Sequence, residues 1–236
     1  MKKLLLGLAF ASALTMTGYP VLAADLDPPD FEPIYDWSGA YIGIFGAAIA
    51  VDGHYDSTPL CVPGPCVVID PDMSGIGYGF GLKAGLDYQW DSFVFGIVGD
   101  WTFADKIADN DDPVEATYLD MNHMATLRAR AGIADGNTLL YVTGGLAAAE
   151  MEFGGLVGAP PGEDVSDKEW VYGWTVGGGI EHAFTNYLTA SLEYLYVDLE
   201  DTDYTLINSL GEGGTVDMMY NDMHMVRAGL AFHFSL

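Results

Sequence analysis

Between Gly75 and Tyr88 the chain reads GIGYGFGLKAGLDY, with large and small side chains taking turns. Ile76, Tyr78, Phe80, Leu82, Leu86 and Tyr88 share one parity, while five glycines, Lys83 and Asp87 share the other. In an extended strand, successive side chains point to opposite faces. The stretch therefore predicts a strand with one apolar, aromatic face and one face of nearly bare backbone. It is longer than the globular average of about 5–6 residues and long enough for a membrane-crossing strand of about 9–11. A glycine-lined face suits a narrow, crowded interior better than a solvated surface, where long charged side chains are usual.

The same alternation recurs along the chain. Strands are predicted over 37–51, 75–88, 93–103, 119–134, 138–152, 169–182, 187–198 and 216–234. The first has no clear facing, because Tyr41, Phe45 and Ile49 fall on one parity and Ile42, Ile44 and Ala48 on the other. The connections alternate: long at 53–74, short at 89–92, long at 104–118, short at 135–137, long at 154–167, short at 183–186, long at 199–215. An even strand count with short turns at one end and long loops at the other predicts an all-β fold: an eight-stranded antiparallel up-and-down transmembrane barrel. The short turns are expected to be periplasmic and the long loops extracellular. Trp90, Phe93, Tyr187, Phe232 and Phe234 then form an inner girdle, and Tyr78, Trp101, Phe103, Trp170, Tyr172, Tyr194 and Tyr196 an outer one.

Charge sharpens this reading. Lys83, Arg128, Arg130 and Arg227 fall on the inward parity, and so do Asp87, Asp100, Glu181 and Glu193. An unpaired charge in a narrow interior is costly, whereas a paired, hydrogen-bonded network is tolerable. Eight strands leave an interior about wide enough for side chains to fill. The expectation is a lumen plugged by ion pairs rather than a water-filled pore.

The whole chain carries 34 acids against 8 lysines and arginines, a net charge of −26. Phosphate backbones would be repelled, which excludes nucleic acid as a natural partner. The acids gather in the long connections, as at Glu163, Asp164, Asp167 and Glu169, or at Asp198, Glu200, Asp201 and Asp203. They read as a solvated, self-repelling rim, or as a rim holding divalent cations beside lipopolysaccharide phosphates. Residues 1–23 have a charged start (Lys2, Lys3), an apolar core and a small-residue end at Val21-Leu22-Ala23, the make-up of a secretory leader. Residues 24–36 are acidic and proline-rich, an expected periplasmic tether, and 37–236 are the barrel. In an exported chain, Cys61 and Cys66, flanking a Pro-Gly-Pro turn, are expected to form a disulfide.

The chain resembles the small eight-stranded outer-membrane proteins of the opacity-protein and porin-like type, which include surface antigens and hemin-binding proteins. The resemblance is carried by WSGAYIG from Trp37, TLRARAG from Thr126, LLYVTGGLA from Leu139, GWTVGGGIE from Gly173, LEYLYVD from Leu192 and VRAGLAFHF from Val226. It implies a structural and surface-interacting protein of the outer membrane, without cofactor or catalytic centre. Its partners would be outer-membrane lipids, lipopolysaccharide and the barrel-assembly machinery. The chain departs from such barrels at its end, running through Ser235 to Leu236 instead of stopping on an aromatic residue. The resemblance also raises alternatives: a hemin-binding or divalent-cation-binding surface protein, or a narrow porin. For hemin the candidates are His54, His123 and His224, with Met121, Met223 and Met225 nearby, though they lack ligand spacing. A lipid-acting enzyme would need His233 and Ser235 together with a third orienting group, which the sequence does not supply. A soluble ligand carrier would turn the aromatic face inward and show its glycines to water.

Overall fold

Extended backbone leaves a row of N–H and C=O groups on each edge, and inside a bilayer every one of them needs a protein partner. The computed structural model describes residues 35–56, 73–104, 108–109, 117–157, 163–207, 209, 211 and 213–234, and it meets that need by closing the sheet. Its strands are β1 (Gly39–Asp56), β2 (Met73–Trp90), β3 (Phe93–Ala104), β4 (Ala108–Asp109), β5 (Thr117–Asp135), β6 (Thr138–Val157), β7 (Glu163–Ala183), β8 (Leu188–Leu199), β9 (Thr202–Ile207) and β10 (Gly213–Phe234). The wall runs β1-β2-β3-β5-β6-β7-β8-β10, and β1 pairs with β10 from Ala40↔Phe234 to Asp56↔Asp217. These eight strands form a closed antiparallel barrel, while β4 pairs only with β5 and β9 with β10, above the wall.

The facing follows the alternation. Tyr78 is 73% exposed, Phe80 66% and Trp174 47%, whereas Arg128 is 2% exposed. Every strand of the wall carries exposed aliphatic or aromatic side chains on its outer face, and Asp87, Asp100, Arg128, Arg130, Glu181 and Arg227 point in. Such an inside-out surface is stable when the surrounding medium is hydrocarbon.

β1, whose facing the sequence leaves open, is settled by its neighbour. Tyr41, Phe45 and Ile49 are buried in the lumen, and Ile42 and Ile44 are exposed. Tyr41 lies opposite Gly85 and Phe45 opposite Gly81 in the β1–β2 register. A Cβ placed on either glycine would overlap the facing ring. The bare face of β2 therefore makes room for the rings of β1.

Two expectations are corrected. The connection expected to be a loop over 154–167 is largely strand, because the β6–β7 ladder continues to Val157↔Glu163. Likewise β9 and the start of β10 form a hairpin inside the loop expected over 199–215. β6 and β7, at 20 and 21 residues, exceed the roughly 9–11 needed to cross the bilayer, so the surplus projects beyond it. One bulge also resets facing. The β5–β6 register shifts between Met121 and His123, and Met121 turns inward although simple alternation from Leu127 would send it outward.

Candidate functional site: the barrel lumen and its two ends

Arg128 and Arg130 lie two residues apart on β5, so both reach into the lumen. Arg130 contacts Asp87 of β2 through Nε (3.0 Å) and, more closely, through Nη2, and its Nη1 donates to Glu181 of β7 at 2.9 Å. Glu181 also accepts from Thr189 Oγ1 at 2.6 Å and lies 3.2 Å from His233 Nε2. The guanidinium of Arg130 sits 5.2 Å from the Tyr41 ring centre and 4.9 Å from that of Tyr141, within cation–π range.

One layer further from the short turns, Arg128 donates to Asp100 at 2.7 Å, to Glu193 at 2.9 Å and to Thr126 Oγ1 at 3.0 Å. Arg227 of β10 stands 3.0 Å from Asp100 Oδ1 and lies over the Phe45 ring at 4.5 Å. That approach is ionic but poorly aligned, since Asp100 Oδ1 and Arg227 Nε make no hydrogen bond. Tyr141 ties the two layers together by donating to Glu193 at 3.2 Å. Of the eight charged residues expected in the lumen, Lys83 stands apart from the ion pairs, and its Nζ donates to Ser191 Oγ at 2.9 Å.

The ion pairs fill only part of the lumen. Toward the long-loop end the filling is apolar: Ile49, Val51, Met121, Met124, Met151, Phe153, Leu195, Val197, Tyr204, Met223 and Met225 form one buried cluster. In the sequence Met121, Met223 and Met225 carry no ligand spacing; the bulge in β5 is what turns Met121 into this cluster, whereas Met124 shares the inward parity of Arg128. At the short-turn end, Tyr35 and Trp37 fold into the mouth beside Val94, Leu139, Tyr141 and Ala183. Tyr35 belongs to the segment expected to be a tether, yet it packs edge-on against Trp37 at 4.7 Å and near His233 at 5.8 Å. Burial pushes its phenol above the ordinary tyrosine range. Trp37 is fixed by its backbone N–H, which donates to Gln89 Oε1 at 2.9 Å.

The remaining candidates separate. His123 packs against Trp101 and Phe103, and His224 against Tyr194 and Tyr196, on the outside of the wall. Met121, Met223 and Met225 lie inside it. The candidates His123 and His224 are thus divided by the sheet from Met121, Met223 and Met225 and share no ligand site with them. No group of three or more metal-ligating side chains occurs among the described residues. His233 does gain an orienting carboxylate in Glu181, which sequence spacing did not reveal. Ser235, the Cys61–Cys66 pair and the His54 side chain lie outside the described residues.

A family model for the outer membrane protein β-barrel domain matches residues 5–234. The chain is 30% identical over 243 residues to a 31 kDa outer-membrane immunogenic protein of Brucella melitensis biotype 1, covering 95% of this chain and 98% of that one. It is 28% identical over 205 residues to a 22 kDa outer membrane protein of Rhizobium leguminosarum bv. viciae, covering 86% and 81%. Among solved structures, the outer membrane protein OprG of Pseudomonas aeruginosa aligns with a TM-score of 0.55 at 13% identity, over 86% of this chain and 98% of that one. That last likeness is one of fold.

Proposed function

Since this chain belongs to the outer-membrane protein β-barrel family, we propose that it is a closed, non-conducting barrel that serves as a structural and surface-interaction protein of the cell envelope. It resides in the outer membrane, with the short turns in the periplasm and the long connections outside. The observation that supports closure is the reach of two arginines across the lumen. Arg128 and Arg130 on β5 meet carboxylates on β2, β3, β7 and β8, so polar contacts cross the interior from wall to wall. An apolar layer lies on one side of them and the Tyr35–Trp37 stopper on the other. No catalytic step is assigned to the barrel.

The contact surface is the extracellular rim. Asp164, Glu169, Glu200, Asp201 and Asp203 are exposed there and keep it strongly acidic. The Brucella melitensis relative is named an immunogenic outer-membrane protein, and the exposed rim of this chain is its proposed contact face. Lipopolysaccharide and the barrel-assembly machinery are proposed as its envelope partners.

Planar-bilayer recording with purified, folded protein tests closure. The expected trace shows no long-lived steps; large, stable single-channel steps would refute a closed lumen.

A further inference from the structure

On the lipid-facing side of the wall, at the outer girdle, four strands bring an unusual group together. Trp101 is on β3, His123 on β5, Glu150 on β6 and Trp170 on β7, and the register sets His123 opposite Glu150 and Glu150 opposite Trp170. β3 and β7 are three strand spacings apart, about 14 Å. Yet the two indole centres are only 6.2 Å apart, so the rings lean toward each other over Ala125 and Ala148, which alone lie between them in the register from Trp101. Both indoles remain about 40% exposed. His123 sits under them, 5.8 Å from Trp101 and 5.5 Å from Phe103.

Two polar groups in this arch lack partners. The His123 Nδ1 atom is buried and makes no hydrogen bond. Glu150 is half-buried and takes part in no ion pair or hydrogen bond among the described residues. The other outward histidine differs, since His224 Nδ1 is met by the Tyr194 hydroxyl at 2.7 Å. With no acceptor beside Nδ1, the His123 ring proton belongs on Nε2, which then presents an N–H donor. The site therefore offers a carboxylate, two indole faces and one donor, at the depth where aromatic girdles meet lipid head groups.

A carboxylate among aromatic faces is the chemistry that holds an ammonium group. A neighbouring N–H donor suits a phosphate oxygen. We propose that this arch binds the phosphate–ammonium head group of a zwitterionic phospholipid. The ammonium lies against Glu150 and the two indoles, and a phosphate oxygen accepts from His123. A purely anionic head group finds the donor but meets an unpaired carboxylate where the ammonium should be.

Native mass spectrometry of the full-length, folded barrel in detergent tests this, with phosphatidylethanolamine and phosphatidylglycerol of matched chains as probes. Wild-type protein should retain phosphatidylethanolamine at about tenfold lower lipid concentration, the scale of one charge-assisted contact together with cation–π attraction. Glu150→Gln and Trp170→Leu should abolish the difference, and His224→Ala should leave it intact, with folding of each variant checked by heat-modifiable gel mobility. Equal retention of the two lipids by wild type would overturn the proposal without recourse to any variant. So would a preference that survives Glu150→Gln, or displacement of the phospholipid by a phosphorylated diglucosamine, which would assign the arch to a sugar head group.

Discussion

Arg130 shows at the residue scale how this interior is held. Its guanidinium meets Asp87 and Glu181 while two tyrosine rings cover its faces, and all of these groups are shielded from water. Removing one partner from such a group strands the others. Arg130→Met should destabilise the barrel by about 3–5 kcal/mol, because two buried carboxylates lose their counter-charge. Adding Asp87→Asn and Glu181→Gln to that variant should recover much of the loss, since the two carboxylates left without Arg130 then carry no charge to desolvate. Urea unfolding in phospholipid vesicles, followed by tryptophan emission, measures both. The inward parity of Arg130 is legible from its neighbours Leu127, Ala129 and Ala131. Its choice of Glu181, 51 residues away, is not.

Among the elements, the β6–β7 hairpin shows most clearly what the strand lengths do. Beyond the outer girdle it stands free of the bilayer, and cross-strand side chains must hold it. Lys168 Nζ reaches Glu152 at 2.8 Å, and Ser166 Oγ and Asn122 Nδ2 donate to the same carboxylate. The Lys168 contact, with these two bonds, keeps the Glu152 carboxyl below the usual glutamate range. A depressed carboxyl contributes stability above its unfolded-state pKa, and that contribution disappears as pH falls through the folded-state value. Amide exchange in the outer parts of β6 and β7 should therefore quicken as the pH is taken from neutral into the range below about 4, while the membrane-spanning amides stay protected. Lys168→Ala should produce part of that fraying at neutral pH. The sequence marks this region as a loop because Gly154, Gly155, Pro160 and Pro161 interrupt the alternation. Ladder pairing from the membrane-spanning part carries the strands past the glycines, a cooperative effect that a local pattern does not contain.

For the molecule as a whole, the lumen is graded along its axis. A short aromatic stopper, a layer of ion pairs and an apolar, methionine-rich layer follow one another from the periplasmic end outward. The stopper is the part most open to a direct test. Trp37 is fully buried, so Trp37→Ala should cost about 3–5 kcal/mol and loosen the periplasmic mouth. Faster amide exchange near Val94 and Leu139, with the outer lumen unchanged, would establish that this segment seals one end only. Uniform loss of protection would instead make it a global fold contact. The stopper is hidden in the sequence because Tyr35 lies in a proline-rich, acidic run that reads as an extended tether and Trp37 reads as the first residue of a strand.

Residue order alone determined the eight strands of the wall and, outside β1 and the β5 bulge, the inward or outward side of their membrane-spanning residues, and thus a barrel in a membrane. Those are consequences of a two-residue period and of which face is greasy, properties each segment carries by itself. Closure decided the rest: the side on which the β1 rings lie, the inward turn of Met121 at its bulge, and the partner each arginine finds. Such contacts join strands distant in the chain, and their spacing is set by the register of the closed wall, which no single stretch encodes.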